Sequence, residues 1–169
     1  VVRFMPFVLT INERIREVEI IDKHRGNHYC IKKENNVPPV VVPNHSDWSI
    51  VENLITYTYY DGTEDKKLSI RSLQSNDKND IVIIPPYPVE AGDVSSIPSL
   101  FLWFPLLGTE DFGVNFIFHS KRFYPVEKRN NILIPENVPS KKEKGERNES
   151  ILKEIMGVLF DFYKCQINC

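Results

Sequence analysis

The chain is built from β-branched runs that stop at proline. Val40–Val42 runs into Pro43, Ile81–Ile84 into Pro85 and Pro86, and Ile132–Ile134 into Pro135. β-Branched side chains lose χ1 freedom in a helix and pack well on a pleated surface. Proline lacks the N–H that a central strand needs, so it marks where such a run ends. The whole composition leans the same way, with 18 isoleucines and 16 valines against one alanine, Ala91. These features argue against a helical bundle and predict a sheet-rich α+β domain. A length of 169 residues suits a single domain over 1–169 and is ample for a real core.

Reading along the chain sharpens this expectation. Residues 1–11 form an apolar run broken by Pro6 and read as a strand. Ile15–Ile20 alternates as a second strand. His24–Asn27 is a turn signal, and Tyr29–Lys32 is its returning strand. Asn35–Pro43 holds three prolines and is expected to be extended. Ile50–Tyr60 and Leu68–Leu73 are expected to pair across a turn near 61–65, with a short strand at 80–84. Leu100–Leu106 and Val114–His119 flank the Gly108–Phe112 turn and read as the central pair of the sheet. Asn131–Ile134 is a further short strand candidate.

The C-terminal part reads as a helix over 148–166 after a flexible polar loop over 139–147. Asn148 is the expected N-cap, because its side chain can accept from the first free N–H groups. Ile151, Ile155, Val158, Leu159 and Phe162 repeat at helical spacing, with Leu152, Met156 and Tyr163 beside them. This stripe is expected to pack on the sheet, giving a mixed, mostly antiparallel β-sheet with one amphipathic helix against it.

Several function classes lose support at this level. Neither G-x-G-x-x-G nor the P-loop pattern occurs, so the two commonest phosphate-cradling loops are absent. His24, His28 and Cys30 lie close together, but zinc takes four well-spaced ligands and no second pair is evident. Asn44–Asp47 contains hydrolytic residue types, yet sequence neighbours point different ways and read better as a capping turn. No G-x-S-x-G elbow is present. Phe101, Trp103 and Phe104 sit among leucines and read as core rather than as a nucleobase platform. Three cysteines without a C-x-x-C pair fit a reducing cytoplasm. No apolar run approaches the roughly 20 residues of a membrane span, so no membrane partner is expected.

The net charge of −2 offers no global attraction to nucleic acid, which is disfavoured as a partner. The charge is uneven, however. Residues 120–147 carry eight basic and four acidic side chains on an otherwise acidic body. This segment is either a solvated loop or a reader of phosphate or carboxylate, through Lys121, Arg122, Lys128 or Arg129. It supports one alternative function, an autonomous module that binds phosphorylated or nucleic-acid ligands.

The most distinctive stretch is Phe104–Ile134. It contains Phe104-Pro105-Leu106-Leu107-Gly108-Thr109-Glu110 and Phe112, then an apolar strand, then Ser120, Phe123, Pro125, Glu127, Arg129 and Ile132. Gly108 permits a tight turn, and Thr109 or Asp111 can bond locally to hold it. The stretch resembles a pattern in sacsin-like and heat-shock-ninety-like proteins that carry a GHKL-type ATPase domain. There F-P-L-[IL]-G-[ST]-E-x-F is followed by a strand and by N-S-x-x-F-x-P-T-E-x-R-x-x-I. His119 stands where that family has Asn, and Val126 where it has Thr. Pro6–Asn12, Ile15 and Val18–Ile20 are similar to the strand that opens the same region.

The resemblance implies a middle, transducer-like segment of a chaperone-type parent protein. The GHKL nucleotide site has a metal-binding Asn on a helix, a D-x-G-x-G loop and a Gly-rich lid, and none of these patterns occurs here. No catalytic residue, metal or cofactor is therefore expected in this chain, whereas ATP and magnesium are expected for the parent. The expected partners are an upstream GHKL nucleotide domain and protein clients. A chain opening at Val1 without an initiator methionine fits a piece of a longer protein. By analogy, Arg129 is the candidate phosphate contact in the full-length protein, with Arg122 and Lys121 behind it. The other reading of Arg129 is a salt bridge to Glu110 or Glu127.

Overall fold

The computed structural model describes residues 4–12, 14–34, 40–42, 50–60, 65–75, 81–85, 97–135 and 139–167. Its elements are α1 (Met5–Ile11), β1 (Glu17–Asp22), β2 (Asn27–Lys33), β3 (Val40–Val42), β4 (Ile50–Tyr60), β5 (Asp65–Ser75), β6 (Ile81–Ile84), β7 (Leu100–Phe101), β8 (Ile117–Ser120) and α2 (Lys142–Ile167). One eight-stranded sheet runs β1-β2-β4-β5-β6-β8-β7, with β3 paired to β4. Every pairing is antiparallel except β7 with β8. The α+β, mostly antiparallel architecture with a C-terminal helix on the sheet is the one the sequence predicts. Residues 61–64, where a turn is expected, and residues 43–49 with Asn44–Asp47 lie outside the described residues.

The sheet has apolar packing on both faces. Leu73, Ile81, Ile83, Leu100 and Phe118 pack with Ile151, Ile155, Val158, Leu159 and Phe162 of α2. On the other face Ile31, Ile70, Val82, Ile84, Phe101 and Ile117 pack with Phe7, Leu9 and Ile11 of α1. This explains why Ile81–Ile84 is an unbroken apolar run. A strand covered on both faces has no solvent side on which to alternate. All four of its residues are buried.

Four local expectations are corrected. Residues 5–11, expected as a strand, form α1, with Pro6 in its first turn, where a missing N–H costs nothing. Pro6, Phe7, Leu9, Thr10 and Ile11 are all buried, so the segment is apolar nearly all round and periodicity cannot separate strand from helix. Thr10 Oγ1 also donates to Pro6 O at 2.8 Å, which ties its hydroxyl to the helix.

The second and third corrections concern β7, β8 and residues 131–134. β7 and β8 are not a central hairpin. They lie at one end of the sheet and run parallel, pairing Leu100 with Phe118 and Phe101 with His119. A parallel pair needs a crossover, and residues 102–116 supply it as irregular loop. The centre of the sheet is instead β4 and β5, paired over their full eleven residues. Asn131–Ile134 makes only a single bridge, Ile132 to Pro125, because the Tyr124 N–H and the Leu133 carbonyl that would extend the ladder are bonded to the Asn148 side chain.

The fourth correction is the start of α2. Residues 139–147 are not a loop: a 3-10 turn, Pro139–Lys141, leads into a 26-residue helix. Its opening turns are solvated and carry i,i+4 ion pairs, Lys142 with Glu146 at 3.7 Å and Arg147 with Glu143 at 2.6 Å. Without an apolar stripe, those turns leave no helical period to read. Gly145 lies there because the chain at Ile134 and Pro135 passes against the helix. A Cβ on Gly145 would sit 2.6 Å from Pro135 N and 2.7 Å from the Ile134 carbonyl carbon.

Candidate functional site

The distinctive stretch forms one knitted unit at the β7 end of the sheet. After Phe101 the chain folds back, with Leu102 N donating to Phe104 O at 2.9 Å and Leu106 N to Leu100 O at 2.9 Å. The buried Thr109 completes the edge of β7. Its Oγ1 donates to Leu106 O at 2.9 Å and accepts from Leu100 N at 3.1 Å. Its carbonyl accepts from Ser99 N at 3.2 Å. One side chain thus satisfies backbone groups that a further strand would otherwise pair. Glu110 Oε2 accepts from Gly108 N at 2.6 Å, which closes the turn locally. Leu107 and Phe112 remain exposed.

The second half of the stretch is a small antiparallel finger. Val126 N donates to Asn131 O at 3.0 Å, Arg129 N to Val126 O at 2.9 Å, and Leu133 N to Tyr124 O at 2.9 Å. The bridge of Pro125 to Ile132 lies between them. Phe123 is buried in the α2-side core. The buried Ser120 accepts from Arg122 N through Oγ at 3.1 Å, which turns the chain out of β8.

Two contacts join the halves. A Cβ on Gly108, whose φ is +109°, would meet Asn130 O at 3.0 Å, so only glycine lets the first turn seat on the finger. The Arg129 guanidinium carbon sits 5.6 Å from the Phe104 ring centre, a cation–π distance.

The candidate cations separate clearly. Arg122 Nη2 donates to Glu154 Oε2 of α2 at 2.7 Å, with both side chains largely buried, so it braces the loop to the helix. Glu127 is paired with Lys141 at 3.0 Å and not with Arg129. Glu110 is turned to Gly108. The expected salt bridge from Arg129 to Glu110 or Glu127 is therefore replaced by the contact with Phe104. Lys121 is exposed on the turn after β8. Arg129 has a φ of +53°, rare for a residue with a Cβ.

Three side chains, Trp103, His119 and Asn148, take places that the sequence does not give them. Trp103 also has a positive φ, +62°, and is exposed, against the expectation that it is core. Its ring centre lies 4.8 Å from that of the buried His119. His119 Nδ1 lies 3.1 Å from Phe101 O, and because a carbonyl only accepts, this nitrogen carries the proton. Among the described residues the two left-handed non-glycine positions, Trp103 and Arg129, thus adjoin or contact the same side chain, Phe104. Asn148 is the third. It is not an N-cap but lies fully buried within α2. Its Oδ1 accepts from Tyr124 N, and its Nδ2 donates to Tyr124 O and Leu133 O, each at 2.8 Å. The side-chain amide bonds the finger's backbone as a neighbouring strand would.

Elsewhere, His28 Nε2 lies 2.6 Å from Glu19 Oε1 and Cys30 Sγ donates to Glu17 at 3.3 Å. The bond to Glu17, with slight burial and the negative charges of Glu17 and Glu19, pushes the Cys30 thiol above its ordinary pKa. Among the described residues no group of three or more His, Cys, Asp or Glu is placed to hold a metal ion. Nor is any helix among them long and apolar enough to cross a membrane. No family model, no curated protein and no solved structure matches the chain.

Proposed function

We propose that this chain is a non-catalytic, transducer-like middle domain of a cytoplasmic, sacsin-like GHKL ATPase of chaperone type. It meets an upstream nucleotide domain through the finger that carries Arg129. The observation that supports this reading is the state of Arg129. Its backbone is held in the left-handed region, its side chain lies over Phe104, and Glu110 and Glu127 are committed elsewhere. A positioned guanidinium paired with no carboxylate among the described residues can receive a phosphate or an acidic side chain bidentately. Such a cation stabilises developing phosphate charge without proton transfer. ATP and magnesium belong to the parent's nucleotide domain, and protein clients to its cycle.

The alternative, an autonomous phosphate-binding module over 120–147, has less free charge than its composition suggests. Arg122, Lys141, Lys142 and Arg147 are each ion-paired to a glutamate. Two measurements separate the readings. In the full-length protein, Arg129→Ala lowers ATP turnover while leaving ATP affinity unchanged. Unchanged turnover refutes the transducing role, and tight ATP binding by this chain alone, measured by calorimetry, refutes the non-catalytic assignment. Filter binding of phosphorylated and nucleic-acid ligands at low salt, lost steeply as salt rises, would instead support the autonomous module.

A further inference from the structure

α2 carries a second apolar stripe on the side away from the sheet. Phe160 is 69% exposed and Met156 52% exposed. Gly157 beside them has nothing within 4 Å of where its Cβ would stand. Met156 adjoins the core stripe in sequence, yet the helix turns it outward.

One pair of opposite charges, Glu149 and Lys164, brackets this stripe symmetrically. At 3.6 residues per turn, Glu149, Lys153, Met156, Phe160 and Lys164 fall within an arc of about 80°. Glu149 and Lys164 are equally far from the midpoint between Met156 and Gly157, about 11 Å on either side. Lys153 and Phe160 are equidistant from the same midpoint. An antiparallel second copy of this face therefore sets Glu149 towards Lys164 and Lys153 towards Phe160, with the crossing at the level of Met156 and Gly157. A parallel copy would set Glu149 against Glu149 and Lys164 against Lys164.

We propose that the outer face of α2 pairs with the same face of a second copy of this chain. The two helices run antiparallel and cross at Gly157, an isologous contact of the kind that closes a C2 dimer. The missing side chain at Gly157 leaves open space on one flank of the crossing and lets the helices approach. The Lys153 ammonium, held 2.6 Å from Glu149 Oε1, draws its methylene stem along the face on which the partner copy's Phe160 ring lies. The contact is small, so the association is weak and depends on concentration.

Sedimentation velocity on the whole chain tests this, over a concentration series reaching about 200 µM. The mean mass is expected to rise from 19.7 kDa towards twice that value. Phe160→Asp is expected to weaken association about tenfold, as loss of a central aromatic anchor does. Glu149→Lys and Lys164→Glu each place like charges across the pair and weaken it. The double variant restores opposite charges and recovers most of the affinity. All these positions are exposed, and unchanged thermal melts confirm that the variants fold. A chain that stays monomeric throughout overturns the proposal. So does Phe160→Asp associating like the parent, or a double variant no tighter than the single ones.

Discussion

Replacing Asn148 with alanine should destabilise the protein by about 2–3 kcal/mol. The side chain makes three hydrogen bonds, each of 2.8 Å, to Tyr124 N, Tyr124 O and Leu133 O. Tyr124 O keeps a second partner, since Leu133 N donates to it at 2.9 Å. Truncation therefore orphans two groups, the Tyr124 N–H and the Leu133 carbonyl. Each buried unsatisfied group costs roughly 1–3 kcal/mol, and the partial exposure of Tyr124 places the sum near 3. Alanine returns about 0.6 kcal/mol through its better helix propensity. The net loss should lower the midpoint of thermal unfolding by about 5–10 °C for a chain of this size. Urea unfolding followed by circular dichroism measures it directly.

Asn148→Asp sharpens the test. It keeps the acceptor for Tyr124 N but turns a carboxylate towards two carbonyl oxygens in a buried site. The aspartate's folded-state pKa must then lie above its unfolded value. The folded state is least penalised below the unfolded pKa, and stability is lost as pH rises through the folded pKa. At neutral pH this variant should be weaker than Asn148→Ala, and it should recover on acidification. A loss below about 1 kcal/mol for Asn148→Ala, or an aspartate variant as stable as the parent at pH 7, would mean that this amide does not hold the finger to α2.

Gly145→Ala should cost at least about 2 kcal/mol by chemical denaturation, because its Cβ would meet backbone rather than a movable side-chain end. At Arg129, the glycine variant should be more stable than the alanine variant by about 1 kcal/mol, since both lose the Phe104 contact and only glycine relieves the left-handed backbone. Equal stabilities for the two would remove strain as a feature of the finger. Glu17→Gln should lower the raised Cys30 pKa and so speed alkylation of that thiol at pH 8. A background of Cys165→Ser and Cys169→Ser keeps the readout on Cys30. The stabilising effect of that thiol's raised pKa is fully present below its ordinary value of 9.0 and disappears as pH rises through the folded-state value.

The readable parts of the fold are those where local pattern and tertiary role agree. β1, β2, β4, β5 and β6 all lie where β-branched or alternating residues place them. The core side of α2 is the stripe Ile151, Ile155, Val158, Leu159 and Phe162. The turn at Gly108 and Thr109 was legible too, because glycine at a positive φ and a hydroxyl beside it are local chemistry. The rest depends on distant partners. Residues 5–11 became helix because burial on the sheet outweighs the strand propensity of a short apolar run. Trp103 turned outward because Leu102 and Phe104 close a tight backbone reversal around it.

Within the candidate site the same division holds. Composition and motif alone determined that this is a sheet-rich α+β chain, and they singled out Gly108, Thr109 and the basic residues after Ser120. They could not assign those cations. Arg122 is a brace because Glu154, 32 residues away in the chain, lies beside it. Arg129 is left over Phe104 because Glu110 bends back to its own turn and Glu127 reaches Lys141. Asn148 reads as a helix cap until Tyr124 and Leu133 are brought against it. Where the local pattern is unambiguous, secondary structure follows from neighbours along the chain, whereas the partner of a charge or an amide is set by which strand packs beside which helix.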